Sequence, residues 1–194
     1  MDLVLLSALW IVYFGLHSFL LSPSVKTTLT KALKLPEHRY RVAYNALSIA
    51  LLIPIALYYR SLPKPSLMEV PSEMLYWLGI VLMGAGVYLG FKCFSGYNVG
   101  EFIGLEQPEK TKVLQTEGLN ELVRHPLYFS ILVVLFGALL YAPSYPFLIS
   151  AFWIVLYIII GIQLEEARLV EKFGKAYREY QEKVPMIIPF YKFK

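Results

Sequence analysis

The sequence predicts an all-α polytopic membrane protein: five transmembrane helices, the last two a C-terminal helical hairpin, and then a cytosolic amphipathic helix. Three observations carry this reading. Of 194 residues, 57% are hydrophobic and 16% charged, with a mean hydropathy of +0.55, too oily for a water-soluble domain. Long runs of the chain lack any Asp, Glu, Lys or Arg. Finally, prolines and glycines punctuate those runs where helices should stop.

The first three spans are read at Leu3–Leu21, Val42–Tyr59 and Met74–Phe91, each 18 or 19 residues without Asp, Glu, Lys or Arg. That is close to the roughly 20 residues a helix needs to cross a ~30 Å hydrocarbon core. From His125 to Leu164 forty residues lack such charges, interrupted by Ala142-Pro143-Ser144-Tyr145-Pro146. Two prolines so close together end one helix and turn the chain. Leu127–Tyr141 and Phe147–Gln163 are therefore the arms of an antiparallel hairpin, both short for a full crossing at ~1.5 Å per residue. The first span has neither a basic leader nor a small-x-small cleavage site and is expected to be retained. From Glu165 the tail reads as one helix with Val170, Phe173, Tyr177, Tyr180 and Val184 on one face, ended by Pro185 and Pro189.

Lys and Arg fall five in 22–41, two in 60–73, four in 92–126, none in the proline turn and seven in 164–194. The positive-inside bias then places the N-terminus outside and the tail in the cytosol. A net charge of +4 and a pI near 9.0 belong to this topology, since the basic residues lie between oily stretches and form no nucleic-acid face. The single Cys93 excludes a disulfide scaffold, and three dispersed histidines with no i,i+4 pair speak against a metal. Organisation divides at the end of the third span, into N-terminal helices over 1–91 and a functional region over 92–194.

The chemistry is expected at the hairpin's open end. A hairpin returns its ends to one place, so Arg124 and His125 must lie near Glu165 and Glu166. Ionisable groups at the membrane surface are costly unless paired or used, so this corner is either a site or a set of interfacial anchors. The segment Lys112-Val113-Leu114-Gln115 leads into it, and Gly118 would let backbone approach a ligand closely. Other residues read as structural. Gly86 and Gly90, with Gly79 a heptad earlier, suit close helix packing. His17 reads as a hydrogen-bonded packing residue, and Lys26, Lys31, Lys34, Arg39 and Arg41 as headgroup contacts.

At this corner the sequence resembles the isoprenylcysteine carboxyl methyltransferase family and the related phospholipid N-methylating enzymes. The residues that carry the likeness are Gly118, Arg124-His125-Pro126-Leu127-Tyr128, Glu165-Glu166, Leu169, Phe173-Gly174, Tyr177, Tyr180 and Val184-Pro185, spread over about 112–190. The resemblance implies a membrane-embedded enzyme that uses S-adenosylmethionine, releases S-adenosylhomocysteine, and takes a lipophilic acceptor from the bilayer, with no metal and no nucleic acid. It implies cofactor contacts at Lys112, Val113, Leu114, Gln115, Gly118, His125, Pro126, Leu127, Tyr128 and Glu165, and catalytic or framework roles for Arg124, His125 and Glu166. The implied acceptor is the carboxylate of a prenylcysteine or similar lipid-borne acid. Two departures stand out: Asn120 where many relatives have Tyr, and Gly161 where prenylcysteine enzymes carry an Arg thought to meet the substrate carboxylate. N-methylation of an aminophospholipid, a nicotinamide-dependent reductase of the sterol-reductase type, and a non-enzymatic scaffold are the competing expectations.

Overall fold

The computed structural model describes residues 1–67, 72–94, 99–106 and 113–191. Its helices are α1 Asp2–Leu21, α2 Pro23–Ala32, α3 Glu37–Ser61, α4 Glu73–Cys93, α5 Val99–Ile103, α6 Pro126–Tyr141, α7 Tyr145–Phe173 and α8 Lys175–Lys183, with a 3₁₀ turn at Gly118–Glu121. Among the described residues there is no β-strand, only an isolated bridge between Ser66 and Ser144. α1, α3, α4 and α7 are long and apolar enough to cross a membrane, which fits a polytopic membrane protein. The fifth expected span, α6, has 16 residues. At ~1.5 Å per residue it reaches about 24 Å, less than a ~30 Å core.

The chain forms two compact units, Met1–Pro65 with Tyr97–Thr111, and Ser66–Gly96 with Lys112–Lys194. In the first, α1 and α3 run antiparallel and are pinned at both ends by tyrosines that donate to carbonyls. Tyr40 Oη reaches Leu20 O at 2.8 Å and Tyr58 Oη reaches Asp2 O at 3.2 Å. Between them His17 Nδ1 lies 3.2 Å from Ser48 Oγ, and the Tyr44 hydroxyl lies 2.7 Å from His17 Nε2. A polar side chain within an apolar helix pair needs such partners, and His17 has the packing role expected of it. Pro23 opens α2 at a position where a missing N–H costs nothing. This short helix carries Lys26, which pairs with Glu37 at the start of α3.

The second unit positions the site. α4 and α6 cross with glycine against glycine: a Cβ built on Gly79 would come within 2.6 Å of Gly137 O, and one on Gly137 within 2.7 Å of Gly79 O. Gly86 meets Ser130 O in the same way at 2.8 Å, whereas Gly90 only touches Ser130 Oγ at 3.4 Å. The helices approach closely because these residues have no side chain to hold them apart. The Ala142–Ser144 turn then reverses the chain, Ser144 Oγ accepts from Phe147 N at 3.4 Å, and Pro146 sits in the first turn of α7.

α7 differs from the short arm read in the sequence. It continues without a break for 29 residues, about 43 Å, so Glu165 and Glu166 lie within it. The single tail helix expected from Glu165 is instead two helices, divided at Gly174. Gly174 has φ +55, the left-handed region where glycine is favoured, and its N–H caps Val170 O at 2.9 Å. α8 leaves in a new direction and buries Tyr177, Tyr180 and Val184 against Leu169, Val170, Phe173 and Leu114. The apolar stripe is thus the one the sequence shows, folded across a bend.

Candidate functional site

Proline and the tail together fix the entry to α6. Pro126 occupies its first turn, and His125 before it takes φ −123, ψ 65, off the helical region as a residue preceding proline must. With no helical partner, the N–H groups of Arg124 and His125 donate to Pro185 O at 2.9 Å and Met186 O at 3.1 Å. The segment after α8 therefore holds these two residues by their backbone. The Tyr180 hydroxyl adds a bond of 2.6 Å to Asn120 O, just after Gly118. Gly118 has φ +66, and its N–H donates to Glu121 Oε1 at 3.2 Å.

The side chains converge on Glu166. Arg124 grips it with two bonds, Nε to Oε1 at 2.9 Å and Nη2 to Oε2 at 3.2 Å, the bidentate geometry that suits a planar guanidinium. Arg124 Nη1 donates to Val184 O at 2.7 Å and Gln181 O at 3.2 Å. His125 Nε2 lies 2.8 Å from Glu166 Oε1, and the Tyr177 hydroxyl donates to the same oxygen at 2.8 Å. Gln181 Nε2 donates to Oε2. The group is nearly dry, with side-chain exposures of 8% for Arg124, 3% for His125 and 10% for Glu166. Burial first, and then the bond to Glu166, pushes the Tyr177 hydroxyl well above the ordinary tyrosine range, so it stays a donor.

Because an ionised carboxylate only accepts, the proton between His125 and Glu166 belongs to Nε2. The other ring nitrogen, Nδ1, faces Glu165 Oε2 at 3.7 Å. Glu165 is the exposed acid of the pair, with 48% of its side chain accessible. Its carboxylate meets the Tyr128 hydroxyl, which also neighbours Tyr157. A Cβ on Gly161, one turn before Glu165, would pass 3.7 Å from that hydroxyl.

Arg124, His125, Glu165 and Glu166 therefore meet at the open end of the hairpin, with Pro126, Leu127 and Tyr128 forming the first turn beside them. Val113, Leu114 and Gln115 lie outside any helix or strand, and Leu114 packs on the Tyr177 cluster of α8. Lys112 lies outside the described residues. Gln181 and the Gln181, Val184, Pro185 and Met186 carbonyls were not singled out in the sequence. Gln181 follows Tyr177 by four residues, which puts both on one face of a helix, and that spacing could have found it.

A family profile described as NnrU protein matches residues 5–190. The chain belongs to the NnrU family. The NnrU family is part of the isoprenylcysteine carboxyl methyltransferase family, the group to which the Arg-His-Pro start, the Glu pair and the tail motif point. The chain is 29% identical over 200 residues to methanethiol S-methyltransferase 1 of Bradyrhizobium diazoefficiens, covering 97% of this chain and 68% of that protein. It is 34% identical over 117 residues to methanethiol S-methyltransferase of Pseudomonas deceptionensis, covering 59% of this chain and 44% of that one. Methanethiol S-methyltransferase 2 of B. diazoefficiens is 26% identical over 197 residues, 97% of this chain and 74% of that protein. The matched segment thus covers less than half the length of the Pseudomonas relative and about two thirds to three quarters of the two Bradyrhizobium ones. No solved structure matches it significantly.

Proposed function

We propose that this chain is an integral-membrane methyltransferase that uses S-adenosylmethionine and methylates the sulfur of a small apolar thiol. The observation that carries the choice of acceptor is the state of Arg124. Its guanidinium is bound to Glu166 and to the Gln181 and Val184 carbonyls, so it is committed within the protein and does not await a substrate carboxylate. Gly161 stands where a second cation would serve that purpose. A neutral thiol needs neither, and the relatives are named for a thiol acceptor.

The residues present fit the methyl donor. S-adenosylmethionine carries an ammonium, a sulfonium and a carboxylate, and supplies an electrophilic methyl group when bound. Glu165 is half exposed beside the buried cluster and offers carboxylate oxygens to the ammonium. Tyr128 stands beside Glu165, and Gly118 leaves open space where a Cβ would stand. Thiols carry their proton at neutral pH, with ordinary values near 8.5 or above, so the acceptor must be deprotonated. His125 does this: Nε2–H is held by Glu166, and Nδ1 accepts the thiol proton. Glu166 stabilises the charge that appears on the ring, and the apolar hairpin keeps water from competing. In this reading α6 is a fifth, thin crossing, the N-terminus lies outside, and the site opens to the cytosol while apolar acceptors arrive through the bilayer.

The carboxylate of a prenylcysteine, implied by the sequence resemblance, is the second reading. Turnover of methyl-labelled S-adenosylmethionine by purified protein in nanodiscs tests the choice, with methanethiol, a prenylcysteine acid and an aminophospholipid offered side by side and products identified by mass. A labelled thioether from the thiol alone is expected. A labelled ester from the prenylcysteine, or labelled lipid, with the thiol untouched would reassign the acceptor.

A further inference from the structure

Glu166 has more donors than an ion pair with Arg124 requires, and two of them come from α8. Oε1 accepts from Arg124 Nε, His125 Nε2 and the Tyr177 hydroxyl, and Oε2 from Arg124 Nη2 and Gln181 Nε2. The Arg124 bonds fix the plane of the carboxylate, but they leave it free to slide along the guanidinium edge. The α8 donors remove that freedom, one at each oxygen. Tyr177 is 1% exposed, and Gln181 sits one turn further on the same face. Gly174 makes this possible, because its positive φ re-aims the chain so that α8 faces back towards α7.

We propose that Tyr177 and Gln181 are positioning residues for the methyl-transfer site: by locking the Glu166 carboxylate they keep the proton of His125 on Nε2 and its lone pair on Nδ1. This rests on His125 serving as the base. The groups that face the imidazole are Arg124 and Tyr128 from its own segment, Glu165 and Glu166 from α7, and Tyr177 from α8 through Glu166. Leu114 packs on the Tyr177 cluster, and Tyr177→Phe keeps the ring it packs on. Among the described residues the hydroxyl of Tyr177 and the amide of Gln181 bond Glu166 rather than Glu165, so the donor-binding side is expected to survive these substitutions. The proton transfer they prepare is simple to balance. The thiol S–H bond breaks, the proton goes to Nδ1, and the sulfur keeps the electron pair with which it bonds the methyl carbon. The bond from that carbon to the sulfonium breaks, and its pair returns to the donor sulfur as a neutral thioether.

The test uses the full chain labelled with [¹⁵N]histidine, donor-free in detergent at alkaline pH, with the His125 signal assigned by its loss in His125→Gln. In the unaltered protein the ring is expected to show one fixed tautomer, protonated at Nε2. In Tyr177→Phe combined with Gln181→Leu it is expected to show averaged ring-nitrogen shifts. kcat is expected to fall about tenfold or more while the Kd for S-adenosylhomocysteine stays within about threefold. A tautomer that remains fixed at Nε2–H in the double variant overturns the proposal, as does a parallel loss of kcat and cofactor affinity, which marks a scaffold. Should the double variant fail to fold, Tyr177→Phe alone carries the same test with a smaller change. If the unaltered protein transfers no methyl group to any acceptor, the functional reading fails, and the tautomer measurement still decides whether α8 orders His125.

Discussion

Five donors share the two oxygens of one nearly buried carboxylate, and the energetics of the site follow from that crowding. Removing a charge from water is expensive, and an ion pair recovers the cost only when its remaining lone pairs are satisfied, as those of Glu166 are. Breaking one partner leaves the other charge stranded. Arg124→Met is therefore expected to destabilise the protein by about 3–5 kcal/mol, read as a lowered unfolding midpoint in detergent. Arg124→Lys is expected to recover only part, because a single ammonium nitrogen cannot reproduce the planar two-nitrogen grip on Glu166 and also serve the Gln181 and Val184 carbonyls. A change below about 1 kcal/mol for Arg124→Met would mean the pair is solvated. At this scale the sequence shows the four charged partners plainly, because the hairpin argument needs only chain connectivity. It does not show which carboxylate is which. Glu165 and Glu166 are neighbours in sequence, and only the helix rotation turns one inward at 10% side-chain exposure and the other outward at 48%.

The helices owe their arrangement to a few glycines. Gly79 and Gly137 let α4 and α6 meet backbone to backbone, so the third span supports the first arm of the hairpin directly. Gly137→Ala must push the pair apart, since the new methyl would lie 2.7 Å from Gly79 O and 2.7 Å from Met83 N. It is expected to cost about 1–3 kcal/mol in unfolding experiments, with a smaller effect from Gly84→Ala, whose Cβ meets nothing within 4 Å. Equal effects from the two would place the crossing elsewhere. The glycine spacing in the third span is visible in the sequence, but Gly137 is not, because one small residue in an apolar run has no periodic partner. The length of α7 is hidden for a related reason. Charge marks where a helix leaves lipid, not where it stops, so Glu165 looks like an end although the helix runs on to Phe173.

For the whole molecule, composition and uncharged runs suffice to name the solvent, and α1, α3, α4 and α7 stand close to the spans read from them. What composition leaves out is the short polar connections. α2, α5 and the 3₁₀ turn carry no span-length apolar pattern, and Lys112 falls outside the described residues. The hairpin brings a buried Arg-His-Glu cluster and an exposed glutamate to one edge, and it is at this glutamate that the proposed sulfonium donor would be held. Isothermal titration of the detergent-solubilised protein with S-adenosylhomocysteine addresses this most directly, run beside NADPH and repeated on Glu165→Ala. Micromolar binding of S-adenosylhomocysteine alone, weakened about tenfold or more in Glu165→Ala, is the expected result. Binding of NADPH in its place, or an affinity for S-adenosylhomocysteine that Glu165→Ala leaves unchanged, would contradict it.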